Sequence, residues 1–218
     1  MGQKISPISM RVGLTQDWRS RYFSKRDGIK YLKDDVKVRQ FLERKLRFMS
    51  IARVELERTP GQLKVIIFTS RPGLIIGRSG SGSEELKKEI DKLVSGSVPV
   101  RIEIQEHKGP ETSAEIMAEQ IVERIEKRVP FRRVIKQALA KIMSNREVKG
   151  VKIGIKGRLD GGEIARTEHL EGGLMPLQKL TADIDFAKNT AYTTYGTVGV
   201  KVWIYKGDIK NGASTKKD

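Results

Sequence analysis

The stretch Arg71-Pro72-Gly73-Leu74-Ile75-Ile76-Gly77-Arg78-Ser79-Gly80, an apolar run that closes on Gly-x-x-Gly, constrains the fold more than any other part of the chain. Gly77 and Gly80 flank Arg78 and Ser79, so the backbone there lacks Cβ atoms, tolerates positive φ and can approach a sugar-phosphate chain closely. Ser81 and Glu84 then stand three residues apart, the pattern of a capping box, and Leu86, Ile90, Leu93 and Val94 share one face. This predicts a helix beginning at Ser81. Free amides at such a helix start favour an anion, and Arg78 adds a cation. Gly77 and Gly82 also have the spacing of a nucleotide-binding phosphate loop, which requires Lys and then Ser or Thr after the second glycine. Ser83 and Glu84 occupy those places, and the acid would repel a triphosphate. A glycine-rich turn without a ligand is the other alternative, and the neighbouring elements decide against it.

Upstream, Asp34 and Asp35 precede Val38, Phe41, Leu42, Leu46 and Met49, which recur at helical spacing. Ala52, Val54 and Leu56 alternate with Arg53, Glu55 and Glu57, the Thr59-Pro60-Gly61 turn intervenes, and Leu63, Val65 and Ile67 alternate again. The pattern is a hairpin. Downstream of the glycine-loop helix, Val98, Val100, Ile102 and Ile104 alternate with Arg101 and Glu103 as one more strand. With a short helix before the glycine loop, the resulting order of helix, strand, strand, short helix, loop, helix and strand, αββααβ, is that of a type II KH domain, in which Gly77, Arg78, Ser79 and Gly80 would clamp RNA.

Charge points the same way. The 218 residues carry 43 Lys and Arg against 27 Asp and Glu, a net charge of +16, with a pI near 10.0. A polyanionic partner is the default inference. Between Arg124 and Arg158 lie twelve basic residues against two acidic ones, Glu126 and Glu147, so ten of the sixteen excess charges sit there. No apolar run is long enough to span a bilayer and the N-terminus does not resemble a signal peptide, so nucleic acid is preferred to a membrane. The absence of cysteine rules out a disulfide framework and thiolate metal ligands and fits a reducing, cytoplasmic setting. His107 and His169 lack metal-ligand spacing and are read as solvated side chains. Asp183, Asp185, Glu163 and Glu168 could pair, but alternation along strands also places them as solvated outer-face residues. No catalytic constellation, cofactor motif or small-molecule site emerges.

Lys108-Gly109-Pro110 is the best domain boundary. Beyond it Thr112 and Glu115 form a second capping box, and Met117, Ala118, Ile121, Val122 and Ile125 make an apolar stripe ending near Val129-Pro130. A further helix begins at Phe131, with Phe131, Ile135, Ala138, Leu139 and Ile142 on one face. Arg132, Arg133 and Lys136 lie together on an adjoining face, three cations within about one turn and unbalanced by Glu, a footprint for a phosphate track. Val151, Ile153 and Ile155 lead into a flexible tip at Gly157-Arg158-Leu159-Asp160-Gly161-Gly162, with Glu163 to Leu170 as the returning strand. Ala182, Ile184 and Phe186 begin another strand, and Val198, Val200, Val202 and Ile204 close the sheet. Hairpin tips presenting Arg158, Arg166 and Lys201 are expected to dock onto RNA or a protein partner. The fold expected is α+β: a type II KH domain over residues 17–109, then two helices on an antiparallel sheet over 110–207. Residues 1–16 read as an N-terminal extension and 208–218 as a Lys-rich mobile tail.

Across essentially its whole length the chain resembles the bacterial family of the third protein of the small ribosomal subunit. The resemblance rests on Met1-Gly2-Gln3-Lys4 with Pro7, Pro72-Gly73 through Gly80, and Phe131-Arg132-Arg133 with Lys136. It continues through Gly157-Arg158-Leu159, Glu163-Ile164-Ala165-Arg166-Thr167-Glu168, Ala182-Asp183-Ile184-Asp185, Thr193-Thr194-Tyr195-Gly196 and Gly199-Val200-Lys201-Val202-Trp203-Ile204. Two departures are Ser6, where the family often has His, and Ser79, where it has a second basic residue, leaving Arg78 as the loop's cation.

The resemblance implies a structural RNA-binding protein of the small-subunit head that binds ribosomal RNA and lines the messenger RNA entrance. There Arg132, Arg133 and Lys136 would face incoming messenger and help open its secondary structure, with the head proteins numbered ten, fourteen and two as neighbours. An enzyme joining a GTPase to a KH domain would need a separate phosphate loop and Asn-Lys-x-Asp, which the chain lacks. A free RNA-binding regulator or chaperone shares the clamp and the charge, and co-sedimentation with small subunits discriminates it.

Overall fold

A computed structural model describes residues 4–59, 61–94 and 98–209. In chain order the elements are α1 (Pro7–Arg11), β1 (Ser20–Arg21), α2 (Gly28–Lys45), β2 (Ile51–Thr59), β3 (Gln62–Thr69), α3 (Pro72–Ile76), α4 (Ser81–Leu93), β4 (Val100–Glu106), α5 (Ala114–Glu126), α6 (Phe131–Met143), β5 (Gly150–Gly157), β6 (Arg166–Gly173), β7 (Ala182–Thr193) and β8 (Gly196–Asp208). They form two compact units. One is Trp18–Lys108, and the other joins the described residues through Asp17 to those from Gly109 onward.

The Trp18–Lys108 unit has a four-stranded sheet in the order β1-β2-β3-β4, with β2 and β3 antiparallel and β3 and β4 parallel. From α2 onward its order is αββααβ, as the sequence pattern predicts. Val38 and Leu42 of α2, Leu56, Leu63, Val65 and Ile67 of the hairpin, and Leu86 and Ile90 of α4 make one buried core. Each such side chain contributes roughly 1.5–3 kcal/mol by leaving water. The helix begins earlier than its acidic pair suggests. Asp34 and Asp35 lie inside α2, almost fully buried, where the Arg58 guanidinium reaches them at 3.7 and 2.9 Å. Buried carboxylates need such a partner, and this one comes from β2, which helical periodicity does not see.

The second unit is an antiparallel sheet in the order β6-β5-β8-β7, with α5 against β7 and β8 and α6 against β5 and β6. Val151, Ile153, Ile155, Val198, Val200, Val202 and Ile204 are buried toward the helices, as alternation requires. The α5 stripe of Met117, Ala118, Ile121, Val122 and Ile125 is buried against them.

Neither expected capping box forms. Ser81 is already helical, Gly80 is the N-cap at φ 83°, and the Ser81 hydroxyl donates to the Arg78 carbonyl at 2.9 Å. At α5 the cap is tertiary: the Ala114 amide donates to Asp185 Oδ2 at 2.8 Å, while the Thr112 hydroxyl donates to the Gly109 carbonyl. Asp185 is therefore a helix cap and not a solvated outer-face residue. His107 is half-buried, whereas His169 is exposed. The strand β6 begins at Arg166 and not Glu163, because residues 158–165 are used in a tight connection. That connection is pinned, not flexible: Leu159 is buried, and Asp160 Oδ1 accepts the Phe131 amide at 3.3 Å, capping α6. Of the tail expected over 208–218, Asp208 ends β8, the Ile209 amide donates to the Thr181 carbonyl, and residues 210–218 lie outside the described residues.

Candidate nucleic-acid interface

The glycine loop is shaped by the crossing of α3 and α4. The short helix α3 ends at Gly77, whose φ of 70° and ψ of −174° redirect the chain into a single turn over Arg78–Gly80. Ser79 and Gly80 follow at φ 53° and 83°. Gly82 lies where the helices touch: a Cβ there would stand 2.6 Å from the Ile75 carbonyl oxygen. The Gly77 to Gly82 spacing that imitates a phosphate loop is thus a packing requirement. A Cβ at Gly77 would meet the Gly82 amide nitrogen at 3.1 Å.

Around this crossing Arg78 and Ser79 are exposed at the tip. The Ser81 amide turns back onto the Arg78 carbonyl, so the site offers bare glycine backbone and the Arg78 guanidinium more than a row of free helix amides. Of the apolar run before the loop only Ile75 is buried, while Leu74 and Ile76 are 56 % and 39 % exposed. These two leave apolar surface exposed in the run that leads into the basic tip. Sequence reasoning missed them because three consecutive apolar residues read as core, and a five-residue helix has only one inward position per turn.

The second group lies on α6. Phe131, Val134, Ile135, Ala138 and Ile142 are buried, Leu139 is half-buried over Gly172, and Arg132, Arg133 and Lys136 are exposed together. The face is not wholly unbalanced, as Arg132 pairs with Glu168 at 3.2 Å. Glu168 therefore has a partner and is not simply a solvated strand residue. Arg133 and Lys136 have no ion-pair partner among the described residues. An exposed pair of this kind is worth under about 1 kcal/mol, so Arg132 remains exchangeable to a phosphate.

Arg158, Arg166 and Lys201 do not converge. Arg158 donates to the carbonyls of Gly162 at 3.0 Å and Tyr195 at 3.2 Å, tying the β5–β6 connection to the β7–β8 turn. Arg166 opens β6 opposite Gly157, on the face that bears the helices. Lys201 sits in the middle of β8, on the opposite face, across from Gly154 and Lys188. Among the described residues no helix is long and apolar enough to cross a membrane, and no group of three or more His, Cys, Asp or Glu could hold a metal ion.

Comparison with known proteins agrees with both halves. A family profile described as "KH domain" matches residues 37–112, and one described as "Ribosomal protein S3, C-terminal domain" matches residues 121–204. "Small ribosomal subunit protein uS3" of Caldicellulosiruptor saccharolyticus is 46 % identical, aligned over 100 % of this chain and 98 % of its own length. Its namesake in Caldicellulosiruptor bescii is 47 % identical over 99 % of this chain and 98 % of its own. That of Coxiella burnetii is 45 % identical over 96 % and 91 %. With a KH-type first unit, an S3-type second unit and similarity of this extent, the chain belongs to the uS3 family of small-ribosomal-subunit proteins, which are ribosomal proteins and not enzymes.

Proposed function

We propose that the chain is a structural RNA-binding protein of the small-subunit head that holds ribosomal RNA and lines the entrance for messenger RNA. Arg132, Arg133 and Lys136 of α6 contact the phosphates of incoming messenger. Gly77, Arg78, Ser79 and Gly80 clamp RNA at the KH loop, and Arg158 and Arg166 act at the edges of the second unit. The neighbours in this reading are the head proteins numbered ten, fourteen and two, and the setting is the cytoplasm. Residues 17–109 and 110–207 act as the KH and docking domains.

The observation that carries the messenger role is the α6 face. Three exposed cations stand on a helix whose opposite face is buried and whose start is capped by Asp160, so their spacing is fixed. Fixed cations that bind one strand hold it after thermal fraying, while translocation supplies the work. Replacing Arg132, Arg133 and Lys136 by Ala costs little stability, because Ala favours helix and no core contact is lost. Ribosomes carrying the triple variant should translate unstructured messages near normally and slow on messages with a stable duplex downstream of the decoding site. Raising salt should shrink the difference from the parent. Equal slowing on structured and unstructured messages would overturn the messenger role.

A further inference from the structure

The face of the second unit's sheet opposite the helices is covered at one end, where Met175 and Leu177 pack against Ala182, Ile184 and Tyr205, and beyond that cover it carries an arrangement that the loop and α6 do not account for. With α5 and α6 on one face, the strand register sets two adjacent rows on the other: Gly154, Lys201 and Lys188 across β5, β8 and β7, and beside them Lys156, Gly199 and Thr190. The three lysines are exposed and have no ion-pair partner among the described residues. No acid lies in these rows, and Glu171, one row further on β6, is held by Lys152. Lys188 directly faces Lys201, a like-charge pairing that disfavours the sheet unless an anion relieves it.

The glycines strengthen the case. Glycine in a strand interior weakens the strand and marks either a steric requirement of the fold or a close approach by something else. Gly150, Gly157 and Gly173 meet the first condition, since a Cβ at each would stand 1.7, 2.7 and 2.3 Å from a backbone carbonyl oxygen. Gly154 and Gly199 do not. Neither has positive φ, and a Cβ would meet the Trp203 ring at 3.6 Å or the Lys156 carbonyl oxygen at 3.8 Å, both ordinary contacts. At Gly154 the Trp203 ring lies over the strand, but Gly199 has room for a Cβ and lacks one, beside three lysines with no ion-pair partner among the described residues.

We propose that this face is a docking surface for the sugar-phosphate backbone of small-subunit ribosomal RNA, with Lys156, Lys188 and Lys201 binding phosphates. Gly199 lets the RNA chain rest on the strand itself. The proposal builds on the ribosomal-RNA-binding reading above and extends it to a face opposite the helices. The strand register fixes the backbone positions that carry these lysines, which suits a folded RNA of fixed shape better than a messenger that must slide.

The test uses the full chain and protein-free small-subunit ribosomal RNA, with affinity measured across a salt series for the parent, the Lys156→Ala/Lys188→Ala/Lys201→Ala variant and Gly199→Thr. The triple variant should bind roughly 10-fold more weakly at moderate salt, with a slope of log affinity against log salt shallower by about 3, one for each phosphate contact. Gly199→Thr should bind more weakly while its Tm equals or exceeds the parent's, because Thr favours strands. Failure of the parent to bind overturns the RNA-binding reading itself. Normal binding by the parent with both variants unchanged in affinity and slope overturns the sheet-face proposal alone. A triple variant that binds RNA normally yet is lost from assembled subunits also overturns it, by assigning the face to a protein neighbour.

Discussion

Asp183, half-buried at the start of β7, shows how one group can set a pH dependence. Burial is the largest influence on its carboxyl and pushes its pKa up from the ordinary value, Lys206 and Arg11 oppose the rise, and Asp185 adds to it. Between the unfolded value and this raised folded value the folded state holds more protons than the unfolded one. Stability from this group therefore grows as pH falls through that interval, and ionised Asp183 is a cost above it. Asp183→Asn, equal in size and uncharged, should raise Tm at pH 7, and the gain should fade as pH drops toward about 4, the ordinary carboxylate range. Thermal melts at the two pH values decide it, and a lower Tm at pH 7 would mean that Lys206 and Arg11 outweigh burial. Asp34 and Asp35 mark the limit of reading such residues from sequence. Acids are good helix-start signals in the first turn, but here they answer to Arg58, 23 positions beyond Asp35.

At the scale of elements, two glycines in the KH loop answer to different physics. Gly80 has open space, with nothing nearer to its absent Cβ than the Ser83 hydroxyl at 3.9 Å, but its φ is 83°. Gly82 has ordinary φ and no space, with the Ile75 carbonyl oxygen at 2.6 Å. Gly80→Ala should therefore cost about 1 kcal/mol of backbone strain. Gly82→Ala should cost more, about 3 kcal/mol, by forcing α3 from α4. Denaturant unfolding compares them, and an equal or reversed order would refute the crossing as the reason for Gly82. The helices and strands themselves were legible because apolar periodicity is local: α5, α6, β5 and β8 bury the residues that their spacing selects. Their caps were not legible. Asp185 caps α5 from 71 residues away and Asp160 caps α6 from 29 away, while the nearby Ser and Thr that fit a capping pattern bond elsewhere. The interface divides the same way: the exposed face of α6 follows from helical angle, whereas the row of Lys156, Lys188 and Lys201 exists only once strand order and register are known.

At the scale of the whole molecule, the first residues of the chain, which lack any periodic apolar pattern, are built into its far end. Arg11 is fully buried and donates from Nε to the Ala182 carbonyl at 2.8 Å and from its terminal nitrogens to Leu177 at 3.0 Å, Lys179 at 2.7 Å and Pro7 at 3.0 Å. Gln16 adds a bond to the Ile184 carbonyl at 3.2 Å. One planar guanidinium thus satisfies three carbonyls in the approach to and start of β7, some 170 positions away, and closes the second unit with its own beginning. Arg11→Ala would strand those acceptors and should cost that unit roughly 3 kcal/mol. Arg11→Lys should recover little, because an ammonium lacks the fixed fork that reaches several acceptors at once. The chain's two tryptophans make the effect separable, since Trp18 lies in the first unit and Trp203 in the second. In a Trp18→Phe background, denaturant unfolding followed by Trp203 fluorescence should shift to lower midpoint with Arg11→Ala. In a Trp203→Phe background, the Trp18 signal should hold its midpoint. A loss shared equally by both signals, or seen in neither, would mean that Arg11 does not serve as the lock of the second unit.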